Sequence, residues 1–410
     1  MDQTEKPTFL INPDRFRYQL ERYNMSVPEF LILINEDRTR DVYTKEDIDD
    51  YLNGKAKVNE RFLSRFDKIF ESGLSWVISN RALPDKMKMS IFFRKDTFNS
   101  ELNLESRKKI AQFEELKTEI SIMTKQIGFK SERKLKQFTC EDNPKSVALE
   151  IREEFDKAIE LLKKEKEINK HRDEKDYLKN LISACEYFNI FVFEFIDRSR
   201  TPGNDIRFNG FYTHPNIIAI KRNQNYMKRE IFTLAHELAH YLINAEEIDE
   251  VIESFVKGKT ERWCNDFAFH FLLGKHINTF NALPEATSEN NFHRTTIKQL
   301  SEQTYLSEYA FYTRLKIENK ISDSDYNDKK NQIEAAFRAT LDAKKAQQDL
   351  QDEIAKLQGI DQFKSGPKEI RSKLFEEIVK LNYFQGNINE TQARKYLKVS
   401  KDKTLDEVIY

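Results

Sequence analysis

The chain has 410 residues, of which 39% are hydrophobic and 33% charged, and its formal net charge is −1. This composition, with only 10 Gly and 9 Pro, predicts a mostly helical protein of two or more domains. The near-zero net charge gives no overall positive potential that would attract nucleic acid. Three separated cysteines exclude a disulfide framework, and the absence of about twenty consecutive apolar residues predicts a cytoplasmic protein without a membrane span.

The first 80 residues contain a series of short amphipathic helices. Helices are predicted over Pro13–Asn24, Val27–Asn35 and Lys45–Leu52. A fourth is indicated by the apolar residues between Phe62 and Phe70. Short helices in this order predict a small helical domain at residues 1–80.

The segment Tyr51–Val58 and the helix after it resemble the helix-turn-helix domain of Xre-type repressors. The resemblance fails where DNA would be contacted. There, the helix in the recognition position carries four acidic residues that would face phosphates: Glu46, Asp47, Asp49 and Asp50. We therefore favour a degenerate protein-interaction module over DNA binding for this domain.

Residues 81–140 are mostly charged and are predicted to form a helical connector, with further amphipathic helices up to residue 180. Two later segments have the aromatic and β-branched composition of strands, Phe188–Ile196 and Asn216–Ile220. Pro202–Asp205 is typical of a turn, and Asn209–Tyr212 leads into the second strand. A small sheet is therefore predicted before residue 230.

The clearest chemical motif is His-Glu-x-x-His at His236, Glu237 and His240, within the apolar run Thr233–Leu242. On a helix the two histidines lie one turn apart on one face, so both imidazoles can bind the same metal ion. Glu237 projects about 100° away, where its carboxylate can contact a water molecule without binding the metal. This geometry is typical of a zinc hydrolase, although five residues alone leave open a charged helix with two unrelated histidines.

Zinc hydrolases use three protein ligands, so a third is expected downstream. The candidates are Glu246, Glu247, Asp249, Glu250, Glu253, Glu261, Asp266 and His270. The first five follow the helix too closely to fold back easily, whereas Glu261 begins an apolar segment that can form a second helix packed on the first. Asn265 lies one turn later on the same face and could orient a ligand. His270 points about half a turn away and remains the alternative third ligand.

Arg229–Leu242, followed by Glu261-x-x-Cys-Asn-x-Phe-Ala268, resembles the joint motif of the ImmA/IrrE family of bacterial zinc metallopeptidases. Cys264 stands where the family has alanine. The resemblance covers residues 141–325, and an Xre-like domain in front is an arrangement that such proteins often have. It implies an α+β, mostly helical fold, in which a zincin-like peptidase domain with a small sheet and active-site helices is flanked by helical domains.

The resemblance also implies a role for each matching residue. His236, His240 and Glu261 would bind Zn²⁺, which Mn²⁺ could replace. Asn265 would hydrogen-bond to one of these ligands and orient it. Glu237 would be the general base that activates water and then protonates the leaving amine. The implied activity is that of a metallo-endopeptidase that cleaves an Xre-type helix-turn-helix repressor and so derepresses stress, phage or mobile-element genes. Three nearby residues are interpreted as packing or surface residues, and no oxyanion donor is assigned among them: Tyr212, His214 and Tyr241.

Residues 295–325 predict a helix-turn-helix-like segment appended to the peptidase domain. Its second helix carries four side chains expected to form an exposed surface for a repressor or nucleic acid: Tyr309, Tyr312, Arg314 and Lys316. A scaffold role is the alternative interpretation of this helix. Residues 326–410 predict a helical C-terminal domain, in which residues 329–358 form a long helix rather than a coiled coil because the heptad register fails near Lys344.

Two classes of function fit the sequence. The first is a zinc endopeptidase that acts on a regulatory protein. The second is a non-catalytic DNA- or protein-binding regulator, repressor-like or antitoxin-like, that uses the peptidase fold to recognise a partner. Glu237 favours the enzyme, because a purely binding protein does not need a general base.

Overall fold

The computed structural model describes residues 7–36, 38–81, 83, 102–168, 172–197, 205–222, 226–246, 258–358, 368–400 and 402–409. The chain divides into two compact units, Met1–Leu116 with Thr201–Ile206, and Lys117–Arg200 with Arg207–Tyr410. Most of the predicted turn at Pro202–Asp205 falls outside the described residues. No helix in the described ranges combines the length and apolar character needed to cross a membrane.

The first unit contains short helices and a two-stranded ribbon. Its elements are β1 Thr8–Leu10, α1 Pro13–Arg22, α2 Val27–Ile34, α3 Lys45–Leu52, β2 Lys57–Asn59 and α4 Glu60–Phe70. Each helix begins after a capping side chain: Asn12, Ser26, Thr44 and Asn59. The four helices are predicted by the sequence. The ribbon is not, because three residues per strand give no clear alternation.

Phenylalanine rings fill the core of the first unit, and the acidic side chains of α3 lie outside it. The rings of Phe16, Phe30, Phe62 and Phe66 are in mutual contact, mostly edge to face. Helix α3 buries Ile48 and Tyr51. Its acidic residues are exposed or half-buried: Glu46, Asp47, Asp49 and Asp50. This negative face would repel a phosphate backbone.

The second unit is built on a three-stranded sheet. Its strands are β3 Phe191–Phe195, β4 Gly210–Thr213 and β5 Ile217–Lys221, in the spatial order β3–β5–β4. β3 runs parallel to β5, whereas β4 is antiparallel to β5 with Phe211 opposite Ala219. β4 forms in the predicted segment Asn209–Tyr212, and the structure separates it from β5 as a strand of its own.

Helices account for most of the second unit. Those before and within the sheet region are α5 Leu104–Gln126, which spans the boundary of the units, α6 Pro144–Lys164 and α7 Glu174–Tyr187. The later helices are α8 Met227–Ile243, α9 Lys259–Leu273, α10 Ile277–Asn281, α11 Arg294–Thr304, α12 Glu308–Ile317, α13 Asp323–Leu357, α14 Lys373–Phe384, α15 Glu390–Tyr396 and α16 Asp406–Ile409. Helix α8 packs against α9, β4 and β5. The predicted α+β, mostly helical fold is confirmed.

A buried ion triad connects α8 to the sheet. Arg222 Nη1, directly after β5, lies 3.3 Å from Glu194 Oε1 on β3 and 3.0 Å from Glu230 Oε2 on α8. These side chains are at most 5% exposed. The second oxygen of Glu194 accepts the Ile370 N–H at 2.5 Å. Because the Arg222 guanidinium lies between two buried carboxylates from different elements, the triad fixes the N-terminal half of α8 against the sheet.

Replacement of the triad's cation should destabilise the second unit. Arg222→Met leaves two buried carboxylates without their cation, and we expect the free energy of unfolding to fall by about 3–5 kcal/mol. Urea unfolding followed through Trp263 fluorescence, in a Trp76→Phe background, measures this change. The exposed Lys179→Met is the matched control and should change stability by less than about 1 kcal/mol. An unchanged unfolding midpoint for Arg222→Met would show that the triad is not structural.

Candidate metal centre

Helix α8 holds the two histidines in an apolar interior. His236 is 1% exposed and His240 is completely buried, between leucine and alanine side chains of the same helix. The helix ends at Asn244, whose left-handed conformation (φ 53°) turns the chain back on itself. The Ala245 N–H then donates to the His240 carbonyl at 3.0 Å. This turn places the Ala245 carbonyl beside the His240 ring.

Helix α9 supplies the third donor, as predicted for a second helix packed on the first. Glu261 Oε2 lies 3.3 Å from His236 Nε2, and Oε1 lies 3.3 Å from His240 Nε2. The two Nε2 atoms are 3.1 Å apart. One ligand atom from each residue lies within 4.8 Å of the other two, so the described residues contain a compact group that could hold a metal ion.

The outer nitrogen of each imidazole fixes which nitrogen faces the cluster. His240 Nδ1 lies 3.1 Å from the Ala245 carbonyl, which can only accept a hydrogen bond. His236 Nδ1 lies 3.1 Å from Asn265 Oδ1, one turn after Glu261 on α9. With Nδ1 as the donor, each neutral ring directs the lone pair of Nε2 into the cluster.

The donor set fits a divalent metal ion. Two nitrogen lone pairs and a carboxylate converge in a buried space, an arrangement that is repulsive unless a cation lies between them. Burial raises the pKa of the Glu261 carboxyl, but the two histidines outweigh burial and lower its pKa below the usual range. Two imidazoles and one carboxylate are a ligand set that zinc uses in hydrolytic sites. His236, His240 and Glu261 are therefore suited to hold such an ion.

Glu237 lies beside this cluster and is 2% exposed. Its carboxylate accepts a hydrogen bond from the Tyr212 backbone N–H of β4. Within the described residues its Oε2 has no hydrogen-bond partner. Burial and the nearby Glu261 charge raise the pKa of Glu237 well above its usual value, and the Tyr212 hydrogen bond opposes them. A cation at the cluster would favour the ionised form, which is the form that accepts a proton.

Gly210 allows β4 to approach α8 closely. A Cβ atom at this position would lie 2.6 Å from Thr233 Cγ2, 3.0 Å from the Ala219 carbonyl oxygen and 3.2 Å from Glu237 Cγ. A larger residue here requires the Thr233 methyl group to move and makes a tight contact with the Ala219 carbonyl. The close approach lets the Tyr212 N–H reach the Glu237 carboxylate. The sequence alone does not reveal this steric reason for a glycine at position 210.

Arg133 stabilises the C-terminal end of α8, and the sequence does not predict this role. Its guanidinium carbon lies 3.9 Å from the centroid of the Tyr241 ring, and it donates hydrogen bonds to the carbonyls of Tyr241 and Leu242. These carbonyls belong to the last helical turn, where a cation also interacts favourably with the helix dipole. Arg133 is 108 residues before Tyr241, so only the folded chain reveals the contact.

Tyr212 and Tyr241 are buried and His214 is exposed, as expected for packing and surface residues.

The other described candidates for the third ligand have different partners. His270 Nε2 lies 3.2 Å from Arg314 Nη2, and burial together with the Arg314 charge lowers its pKa to about 3. Asp266 forms an ion pair with Arg314, and Glu246 accepts hydrogen bonds from β4 and the residue after it. Four candidates lie outside the described residues: Glu247, Asp249, Glu250 and Glu253.

Helix α12 does not present the exposed surface expected of it. Tyr312 is 2% exposed, and its hydroxyl donates to a main-chain carbonyl. Arg314 is held by the carboxylates of Asp266 and Glu318. The expectation of an exposed side chain is therefore wrong for Tyr312, because core packing covers the phenol, whereas Arg314 is half-buried with its guanidinium in ion pairs. The remaining two are half-buried: Tyr309 and Lys316.

Comparison with known proteins identifies part of the second unit. Residues 185–315 match the peptidase family model described as the IrrE N-terminal-like domain. The range includes the sheet, both site helices and α12 as far as Leu315, and so contains His236, His240 and Glu261 together with Glu237. The predicted ImmA/IrrE resemblance is confirmed for this range. No curated protein and no solved structure gave a match.

The contact between Asn265 and His236 predicts an effect on metal affinity. Asn265→Ala removes the acceptor that orients the ring, and we expect binding of divalent metal to weaken about 10–100-fold. Competition of the protein with a chromophoric chelator for Zn²⁺ measures the affinity. Asn278→Ala, at an exposed amide on α10, is the control and should bind as the wild type does. Equal affinity for all three proteins would contradict the orienting role.

The contact at Gly210 predicts a steric effect that a second substitution relieves. Gly210→Ala should lower the free energy of unfolding by about 1–3 kcal/mol, because its Cβ overlaps Thr233 Cγ2. Thr233→Ser removes that methyl group and should restore part of the loss in the double variant. Urea titration of the four proteins gives the coupling energy. Additive effects of the two substitutions would mean that the contact does not limit the residue at position 210.

Proposed function

We propose that the protein is a metal-dependent endopeptidase and that zinc is its metal. One observation carries the proposal: His236, His240 and Glu261 bring three donor atoms together, and Oε2 of the adjacent Glu237 has no hydrogen-bond partner among the described residues. The match of this region to a peptidase family model supports the same activity.

Each residue of the site would have a separate role in hydrolysis. Zinc bound at this site would polarise the scissile carbonyl and make a water molecule more acidic. Glu237, anchored by the Tyr212 N–H, would accept a proton from the attacking water and deliver it to the leaving amine. Asn265 and the Ala245 carbonyl would keep the two imidazoles correctly oriented throughout.

The sheet offers a place for an extended peptide. β4 lies at the edge of the described sheet, and Gly210 brings it against the helix that carries Glu237. An extended peptide could pair with the main-chain groups of this edge that Glu237 and Glu246 do not already engage. A peptide along β4 would pass the Glu237 carboxylate, which is the position that hydrolysis requires.

We propose further that the substrate is a regulatory protein, an Xre-type helix-turn-helix repressor, whose cleavage derepresses stress, phage or mobile-element genes. This part rests on the family resemblance of the motif. The first unit would act as a protein-interaction module that recruits the substrate, since its α3 carries an acidic surface. Mn²⁺ is proposed as a metal that can replace Zn²⁺.

A non-catalytic regulator is the second candidate. The observation that favours it is the burial of the site, since the most exposed of the four residues, Glu261, is only 6% accessible. A protein that recognises a DNA or protein partner through this fold would need no open path to the metal. The two candidate functions differ in whether Glu237 acts as a general base.

Glu237→Gln separates these candidates. We expect the variant to retain its metal and to lose cleavage by roughly 10²–10⁴-fold, because the amide cannot accept the proton. The protein is expressed with the helix-turn-helix repressor encoded beside its gene, with added Zn²⁺ or Mn²⁺, and repressor fragments are followed by immunoblotting. Glu160→Gln, at an exposed acid of α6, is the matched control.

Two results are informative in this experiment. Cleavage by the wild type and Glu160→Gln, with none by Glu237→Gln at equal metal content, supports the proposed peptidase. Equal behaviour of the wild type and Glu237→Gln shows that the peptidase mechanism is wrong and favours the regulator.

A further inference from the structure

A groove of about 840 Å³ lies in the second unit beside the metal centre. We call it the lateral groove. Its walls come from the first turns of α8, the middle of α9, helix α12 and the first half of α13, and include Tyr226, Phe232, Phe269, Ile333 and Phe337. Its volume falls within the range of pockets that bind small organic molecules.

The walls of the lateral groove are mainly apolar. The rings of Tyr226 and Phe337 are in contact, with centroids 4.5 Å apart, and join the start of α8 to α13. Phe337 and Ile333 are half-buried, so their faces toward the groove remain available to a ligand. Apolar surface around a concave site provides most of the binding energy for an organic ligand.

The polar residues of the lateral groove are predominantly cationic. Five cations line it, against three acids: Lys228, Arg229, Arg262, Arg314 and Arg338, with Glu174, Asp266 and Glu334. Three of the cations have acidic partners: Arg314 pairs with Asp266 and Glu318, Lys228 lies 4.0 Å from Glu174, and Arg338 lies 3.7 Å from Glu334. Arg262 is exposed and, among the residues that the structure describes, its guanidinium forms no ion pair. The charge that would complement this site is therefore negative.

We infer that the lateral groove is a binding site for a small organic anion, with an apolar or aromatic body and one carboxylate-like or sulfonate-like group. The apolar body would lie between Phe232, Phe269 and Phe337, and the anionic group would pair with Arg262. Asn265 also lines the groove and contacts His236, so the ligand site adjoins the metal centre without using its donor atoms. The inference is independent of peptidase activity.

Anilinonaphthalene sulfonate, an aromatic anion, is the probe for this site. Titration of the full-length protein by isothermal calorimetry should show saturable binding of one molecule per chain. The uncharged parent compound, phenylnaphthylamine, has the same aromatic body and should bind on the order of tenfold more weakly, because it cannot pair with the guanidinium.

Two variants and two matched controls locate the probe. Phe337→Ala should weaken binding on the order of tenfold through the lost aromatic contact. Arg262→Gln should weaken the sulfonate severalfold and leave phenylnaphthylamine unchanged. The controls lie on α13 outside the groove: Leu350→Ala and Lys344→Gln. Circular dichroism verifies that the variants keep their helical content, which is expected because Phe337 and Arg262 are not core residues.

The inference is overturned if the sulfonate does not bind with a defined stoichiometry, or if Phe337→Ala and Arg262→Gln bind it like their controls. Equal binding of the charged and uncharged probes would overturn the requirement for an anion. If a peptide with aromatic and acidic side chains binds the groove while the sulfonate does not, the groove is a peptide-docking surface and the small-ligand proposal is wrong.

Discussion

The interaction on which the site depends is the convergence of two imidazole lone pairs and one carboxylate in the buried interior of the second unit. Polar groups so buried are costly unless they are satisfied, and a metal cation between these three would satisfy them together. The outer nitrogens of His236 and His240 already have acceptors in Asn265 and Ala245. The Nε2 atoms therefore face the position of the metal, and the surrounding fold holds them in this orientation.

Several contacts far apart in the sequence hold helix α8 in position. The Arg222 triad fixes the start of α8 to the sheet, and Arg133 binds its last carbonyls. Gly210 lets β4 approach closely enough for its backbone to hold Glu237. The helix that carries the motif is thus held at both ends and along one side. Such support is needed because small displacements of a ligand or a general base have large effects on metal binding and catalysis.

The sequence predicts those parts of this site that depend on local periodicity. The spacing of His236 and His240, and an apolar segment beginning at Glu261, suffice to place both helices. The Ala245 carbonyl, the Gly210 contact and Arg133 depend on tertiary structure and have no local signal. Tyr312 is expected at the surface as part of a helix that offers a partner surface. In the fold, packing on more than one side of that helix buries the ring.

X-ray absorption at the zinc edge tests the central claim most directly. Protein loaded with one equivalent of Zn²⁺ should show a first shell of nitrogen and oxygen only, at about 2.0–2.1 Å, with the outer-shell scattering of two imidazole rings. Glu261→Ala should reduce the oxygen contribution or release the metal, whereas the imidazole signal of any bound zinc should persist. A sulfur scatterer, or a shell without the two imidazoles, would contradict the assignment of His236, His240 and Glu261 as the metal site.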